Sequence, residues 1–252
     1  MSSSIWTRCG RRTERLTAAP WRAVEAQHLI STRKLVDSDA EHALLEELIE
    51  ASKPALPARP ELARLHFLLA TPFRYPPLPH GSRFGARQER GIWYGADTVE
   101  TALAEVAYYR LLFLAGTTAA LVPITLRWSL FQAQVEAEPG ADLSRPPFAR
   151  HRRAISSPVS YESSQRLGAA MRADGVRACR YFSARDPGGG TNLAVFDPAA
   201  FSRRMPARDQ KWFCSVAPEG VDFTKDDLLA GKTVSFPRAA FLVDGRLPHP
   251  AL

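Results

Sequence analysis

The chain has 252 residues, 45% of them hydrophobic and 23% charged, which suits a globular protein with a sizeable core and one or at most two domains. Fibrous, disordered and disulfide-scaffold architectures are excluded. The formal charge is +7, and the 33 basic residues comprise 28 Arg and only 5 Lys; GC-rich coding produces such a bias, and phosphate recognition by the planar guanidinium fork exploits it.

Residues 1 to about 20 are polar, Arg-rich and aperiodic, and predict a loose tail. Ser38-Asp-Ala-Glu41 forms a capping box ahead of Leu44, Leu45, Leu48 and Ile49, an apolar stripe at helical spacing. Pro54, Pro57 and Pro60 end that helix in a stiff connector. The helix is expected to pack on the main body or on a partner, with no chemistry of its own. The apolar run Leu65 to Ala70 predicts a strand, and Thr71 to Gly85 a loop fixed by prolines and punctuated by glycines. Ile92 to Tyr94 reads as a brief strand. Asp97-Thr-Val-Glu100 then caps a helix carrying Leu103, Val106, Ala107 and Leu111, with Gly116 as its C-cap. Leu121 to Leu126 predicts a strand, Tyr161 to Ala173 a helix, and Asp174-Gly175 a turn into the strand Val176 to Phe182. Asn192 to Phe196, Lys211 to Ala217 and Ala239 to Val243 predict further strands. Irregular alternation of this kind predicts an α+β, mixed α/β domain rather than a doubly wound parallel sheet. Residues 1–60 are expected to form the tail and a helical extension, and 61–252 the main domain.

Charge is concentrated rather than spread. Leu143 to Lys211 holds 13 basic and 5 acidic residues, and the remainder 20 and 21, so one segment carries the whole excess. Arg150, His151, Arg152 and Arg153 are its densest knot, suited to nucleic acid, an acidic protein surface or a small anion, or to no partner at all. Cys9, Cys179 and Cys214 are far apart and form no C-x-x-C pair, which argues for a reducing compartment and against structural zinc. The N-terminus lacks an apolar signal region, and the 16-residue apolar stretch Leu111 to Leu126, interrupted by Gly116 and Pro123, is too short for a membrane span. A cytoplasmic location is expected.

No G-x-S-x-G, H-E-x-x-H, Walker A or G-x-G-x-x-G motif is present, and the six histidines are scattered without metal-ligand spacing. A metal site is therefore not expected. The unusual stretch runs from Phe73 to Arg110. Within it Glu105 lies beside the apolar face of its helix, with Ala102 and Ala104 leaving room around it. A carboxylate so placed needs a cationic or hydrogen-bonding partner, which Arg83 or Arg74 can supply; a structural ion pair or an exposed Glu fits the same pattern. Downstream, Tyr181 to Phe196 reads as strand, glycine-rich loop and strand, with Ser183 at the first strand's end. Gly188-Gly-Gly190 suits close backbone approach to a ligand or an ordinary hairpin turn.

Arg83 in Ser-Arg-Phe-Gly, Tyr94 in Gly-Ile-Trp-Tyr-Gly-Ala, Glu105 in Thr-Ala-Leu-Ala-Glu-Val-Ala-Tyr-Tyr-Arg and Ser183 in Tyr-Phe-Ser-Ala-Arg resemble the arginine, tyrosine, glutamate and serine of the RES-domain toxins. The likeness is strongest over residues 72–115 and 178–196, and looser similarity to the longer, ParT-like members runs from about Trp21. The resemblance implies a bacterial toxin with an ADP-ribosyltransferase-like mixed sheet and flanking helices, NAD as substrate without a metal, and a cognate Xre-type antitoxin protein. Nucleic acid would be met only through that antitoxin, and no membrane is involved. Carried over, Arg83 and Arg74 would hold the pyrophosphate, and Tyr75 and Tyr94 the nicotinamide and its ribose. Glu105 would stabilise the oxocarbenium-like ribose of the transition state. Ser183 would position the nicotinamide amide or the ribose, supported by Asn192. Arg74 and Arg83 stand closer together than in shorter members, which weakens the match at Arg74 and Tyr75. Three readings follow: an NAD glycohydrolase or phosphorylase, an ADP-ribosyltransferase with a protein acceptor, and a basic nucleic-acid-binding protein without catalysis.

Overall fold

Ten strands join in one sheet: β1 (Glu14–Ala18), β2 (Trp21–Glu25), β3 (Trp93–Ala96), β4 (Ile124–Gln132), β5 (Val135–Asp142), β6 (Ala178–Phe182), β7 (Thr191–Val195), β8 (Ala207–Ala217), β9 (Gly220–Lys225) and β10 (Thr233–Pro237). Their order is β1-β5-β6-β7-β3-β2-β4-β8-β9-β10, and β5 and β6 run parallel while the other neighbouring pairs are antiparallel. These are features of the computed structural model, which describes residues 4–25, 35–75, 79–117, 124–227 and 231–250. Seven helices flank the sheet among these residues: α1 (Ile5–Arg8), α2 (Asp39–Ser52), α3 (Pro60–Ala63), α4 (Phe67–Arg74), α5 (Val99–Ala115), α6 (Arg152–Ile155) and α7 (Glu162–Ala173). The expected α+β class holds.

The N-terminus departs from the loose tail its composition suggests. β1 pairs with β5 through Leu16↔Ala137, and Trp6 is 1% exposed, donates its indole N–H to Asp174 Oδ2 at 2.6 Å and stacks on Phe148. Residues 14–25 therefore build both an edge and the middle of the sheet. Their partners lie 75 or more residues away, so no local period betrays them. Leu65 to Ala70 likewise differs from the predicted strand. His66 caps α4 by accepting from the Leu68 N–H, and Leu69, Ala70 and Phe73 bury one helical face. A six-residue apolar run suits either state until its neighbours are known. Ala239 to Val243 is not a strand: Arg238–Phe241 forms a 3₁₀ turn after Pro237 that places Phe241 in the core. Strands β5, β9 and β10 had no expectation. Of the predicted loop and of the predicted strand Leu121 to Leu126, residues 76–78 and 121–123 lie outside the described residues.

The cap of α2 forms as read, with Ser38 accepting from the Glu41 N–H and Glu41 reaching back to the Ser38 N–H. None of its side chains is buried. Helix α5 matters most for position. Thr98 caps it by accepting from the Thr101 N–H, and Gly116 ends it. Its small residues Ala102, Ala104 and Ala107 are all buried, letting the helix lie close against Trp21, Trp128 and Leu130 of the sheet in one cluster.

Candidate active site

β2 and β3 pair at Trp21↔Ala96, and in front of the region where they separate lies a cavity of about 540 Å³. That volume falls in the range typical of small-molecule and cofactor sites. Its floor comes from β2, β3, β4 and β7, one wall from α5, and the rim from the loop at residues 80–83 and from His249 and Pro250. Glu105 stands on the α5 wall. Its Oε1 accepts from Ser183 Oγ at 2.7 Å and from Asn192 Nδ2 at 2.6 Å. The cationic partner expected for it is not there: neutral donors hold the carboxylate, and Oε2 takes no bond from the described residues. Its negative charge is thus fixed in direction without being neutralised.

Ser183 is fully committed. Its hydroxyl donates to Glu105 and accepts from the Arg185 and Asp186 N–H groups at 3.1 and 3.0 Å, which uses one donor and both lone pairs. It is 4% exposed and is not among the residues lining the cavity; the side chain it meets there is Glu105. Asn192 does line the cavity, is 3% exposed, and has a buried Oδ1 without a hydrogen-bond partner. Since Nδ2 must face the carboxylate, the acceptor side of this amide is left for something else.

The glycine loop follows the same logic. Gly190 lies so close to α5 that a Cβ there would sit 2.1 Å from Thr101 Oγ1 and 2.5 Å from Asp186 Oδ2. Asp186 in turn accepts from Thr101 Oγ1 and from the Gly188 and Gly190 N–H groups. Close backbone approach is needed, but toward the start of α5 rather than toward a ligand. The loop thereby ties Ser183 to the helix carrying Glu105. Gly190→Ala should lower stability by about 2 kcal/mol, read as a drop in melting temperature of roughly 5 °C; an unchanged midpoint refutes the tie.

The other polar groups are cationic. Arg83, 8% exposed, donates to the Ile155 and Ser157 carbonyls and stacks 4.9 Å from the Tyr161 ring centroid. Arg22 donates to the Tyr94 carbonyl at 2.6 Å and packs over Trp93, and burial lowers its pKa to about 10. Arg185 sits behind the cavity wall, 4% exposed, its guanidinium 3.6 Å from the Tyr108 ring and bonded to the Pro158 carbonyl. None of these three arginines has a carboxylate within salt-bridge distance among the described residues. Buried guanidinium groups without a counter-charge are costly, and an anion in the cavity would supply one.

Five of the six tyrosines, all but Tyr75, line this cavity. Burial raises the Tyr94 and Tyr108 hydroxyls to about 12 and those of Tyr109 and Tyr181 well above the usual value, so they stay neutral. The resemblance implies that Tyr94 offers an aromatic surface or a hydroxyl to the nicotinamide and its ribose, and Tyr94 lines the cavity, its hydroxyl being engaged by the protein. That group bonds Ser82 Oγ and accepts from the Phe84 N–H, fixing the loop that presents Arg83. Arg74 and Tyr75 are not brought to the cavity. Arg74 pairs with Glu50 and the Pro54 carbonyl, and Tyr75 is exposed; the connector after α2 captures the arginine instead. The knot of Arg150, Arg152 and Arg153 is exposed and lies outside the cavity lining. Among the described residues no cluster of His, Cys, Asp or Glu is arranged to hold a metal, and no helix is long and apolar enough to cross a membrane.

Sequence reasoning brought Glu105, Arg83, Tyr94 and Asn192 to this place and Ser183 next to Glu105, but missed Arg22, the tyrosines of α5 and β6, and Tyr161, which precedes α7. For Arg22 there was no local signal. For Tyr108, Tyr109, Tyr161 and Tyr181 the sign was compositional: tyrosines are few and fall near the suspected motifs.

Comparison with known proteins gives three findings. The family model described as RES domain matches residues 57–216. Among solved structures, the crystal structure of the M. tuberculosis MbcT-MbcA toxin-antitoxin complex is similar at a TM-score of 0.46 and 14% identity, covering 83% of this chain and 89% of that one. No curated protein matches the chain.

Proposed function

The chain belongs to the RES domain family, and from that premise we propose that it is the toxin of a toxin–antitoxin pair that cleaves the bond between nicotinamide and ribose in NAD, arresting growth by depleting it. One observation carries the reading: a carboxylate without a cationic partner, Glu105, held by Ser183 and Asn192 in a cavity also lined by Arg22 and Arg83, neither of which has a counter-ion among the described residues. NAD supplies both complements, a pyrophosphate for guanidinium groups and a ribose that becomes cationic as its bond to nicotinamide breaks.

In this mechanism Arg83 and Arg22 bind the pyrophosphate by charge-assisted hydrogen bonds, and Arg185 adds positive potential from behind. Glu105 faces the ribose and stabilises the positive charge developing at its anomeric carbon. The carbon–nitrogen bond breaks with its electron pair leaving on nicotinamide, which departs neutral, so no general acid is required. An acceptor oxygen from water, phosphate or a protein side chain then attacks the ribose carbon and loses its proton to solvent. Asn192 Oδ1 accepts from a ligand N–H or O–H. Excess base elsewhere, including Arg150 to Arg153, serves docking of an acidic antitoxin surface.

The test is incubation of the purified protein with NAD, alone, with inorganic phosphate and with cell extract, following nicotinamide and ADP-ribosyl products. Free ADP-ribose identifies hydrolysis, its phosphate ester phosphorolysis, and labelled protein transfer. Absence of nicotinamide release under all three conditions overturns the proposal. Because Ser183 positions Glu105 without meeting substrate, Ser183→Ala should lower kcat about tenfold with KM unchanged. A raised KM at preserved kcat would place Ser183 in direct contact after all.

A further inference from the structure

On α5, Tyr109 and Phe113 follow Glu105 at intervals of four residues, so the three side chains share one face. Phe113 stands two turns, about 12 Å, along the axis from the carboxylate. Both aromatic residues line the cavity, yet they are 53% and 65% exposed. Tyr109 is anchored by its hydroxyl to Tyr161. Phe113 has a bare ring at the outer end. Arg110, between them in sequence, also lines the cavity and is stacked over Trp128 and paired with Glu25. A large apolar ring that lines a cavity and is still open to water is explained if a planar group covers it in the occupied state.

We propose that Phe113, with Tyr109 beside it, is the stacking platform for the purine at the far end of the dinucleotide. This rests on the NAD reading above. A dinucleotide has its scissile ribose at one end and its purine at the other, and the helix offers a group for each: Glu105 and, eight residues further along the same face, Phe113.

Equilibrium binding of ADP-ribose by calorimetry tests the platform without any need for turnover. Phe113→Leu keeps an apolar, helix-compatible side chain and removes only the flat ring. It should weaken ADP-ribose binding about tenfold, Phe113→Trp should restore it, and binding of ribose 5-phosphate, which has no purine, should be equal in all three. Phe67→Ala removes another exposed ring, outside the cavity lining, and should change nothing. Equal ADP-ribose affinity of Phe113→Leu and the parent protein overturns the platform, as does failure of the parent protein to bind ADP-ribose. If ADP-ribose binding depends on Phe113 but NAD is never cleaved, the reaction is wrong and the platform stands; cleavage of NAD with affinity indifferent to Phe113 has the opposite meaning.

Discussion

Glu105→Gln should reduce nicotinamide release by roughly 10²- to 10³-fold, with KM for NAD little changed and the melting temperature near that of the parent. The size is that expected when one preorganised electrostatic contact to a developing charge is removed. The substitution keeps the shape, and the new amide oxygen still accepts from the Ser183 hydroxyl or the Asn192 amide, which meet at Oε1. Only the charge is lost, and a neutral group cannot offset a cationic ribose. The effect therefore belongs in kcat, because the substrate ribose is uncharged before the bond breaks. Glu105→Ala should be at least as inactive and should relieve growth arrest on expression. A Glu105→Gln protein within threefold of parental kcat would remove Glu105 from the chemistry.

Trp6→Ala should cost about 3–5 kcal/mol, the range for deleting a buried large aromatic side chain. The indole is 1% exposed, hydrogen-bonded to Asp174 and stacked on Phe148, so truncation leaves a cavity and an unpaired acceptor together. For a chain of this length the melting midpoint should fall by roughly 10 °C. A shift below about 2 °C would mean that the first residues are a dispensable tail. The consequence reaches the site through α7: Asp174 caps the helix whose Gln165 donates to the His80, Ser82 and Gly85 carbonyls, and that loop presents Arg83. Loss of Trp6 should therefore weaken NAD binding at temperatures where the sheet is still intact.

The parts of the fold legible in the sequence are those whose determinants are local. The capping box at Ser38, the apolar stripe of α5 and the turn at Asp174-Gly175 each act within a few residues and each forms as read, while the cap of α5 falls on Thr98, one residue after the start of the Asp97-to-Glu100 box. Elements decided by distant partners were misread or missed. β1 and β2 exist because β5, β3 and β4 accept them, and the run Leu65 to Ala70, five apolar residues and His66, is too short to show a period that separates helix from strand.

The site divides the same way. Glu105 stood out because a carboxylate beside a helix's apolar face needs a partner, but the choice of Ser183 and Asn192 over Arg83 depends on β6 and β7 meeting α5. Arg22, from the stretch expected to be part of the N-terminal extension, enters the cavity only because its strand is inserted between β3 and β4. Arg74 was lost to the site because Glu50 and the Pro54 carbonyl lie nearer.

By itself the sequence determined the α+β class, the helix that carries Glu105, the family and the short motifs around Arg83, Tyr94 and Ser183, because caps, apolar periods and motifs are written in neighbouring residues. Tertiary structure alone decided that the Ser183 hydroxyl bonds Glu105, that the Tyr94 hydroxyl braces a loop, and that Arg22 rather than Arg74 lines the cavity with Arg83. Those outcomes follow from which donor comes within about 3 Å of which acceptor, a distance that chain order does not contain.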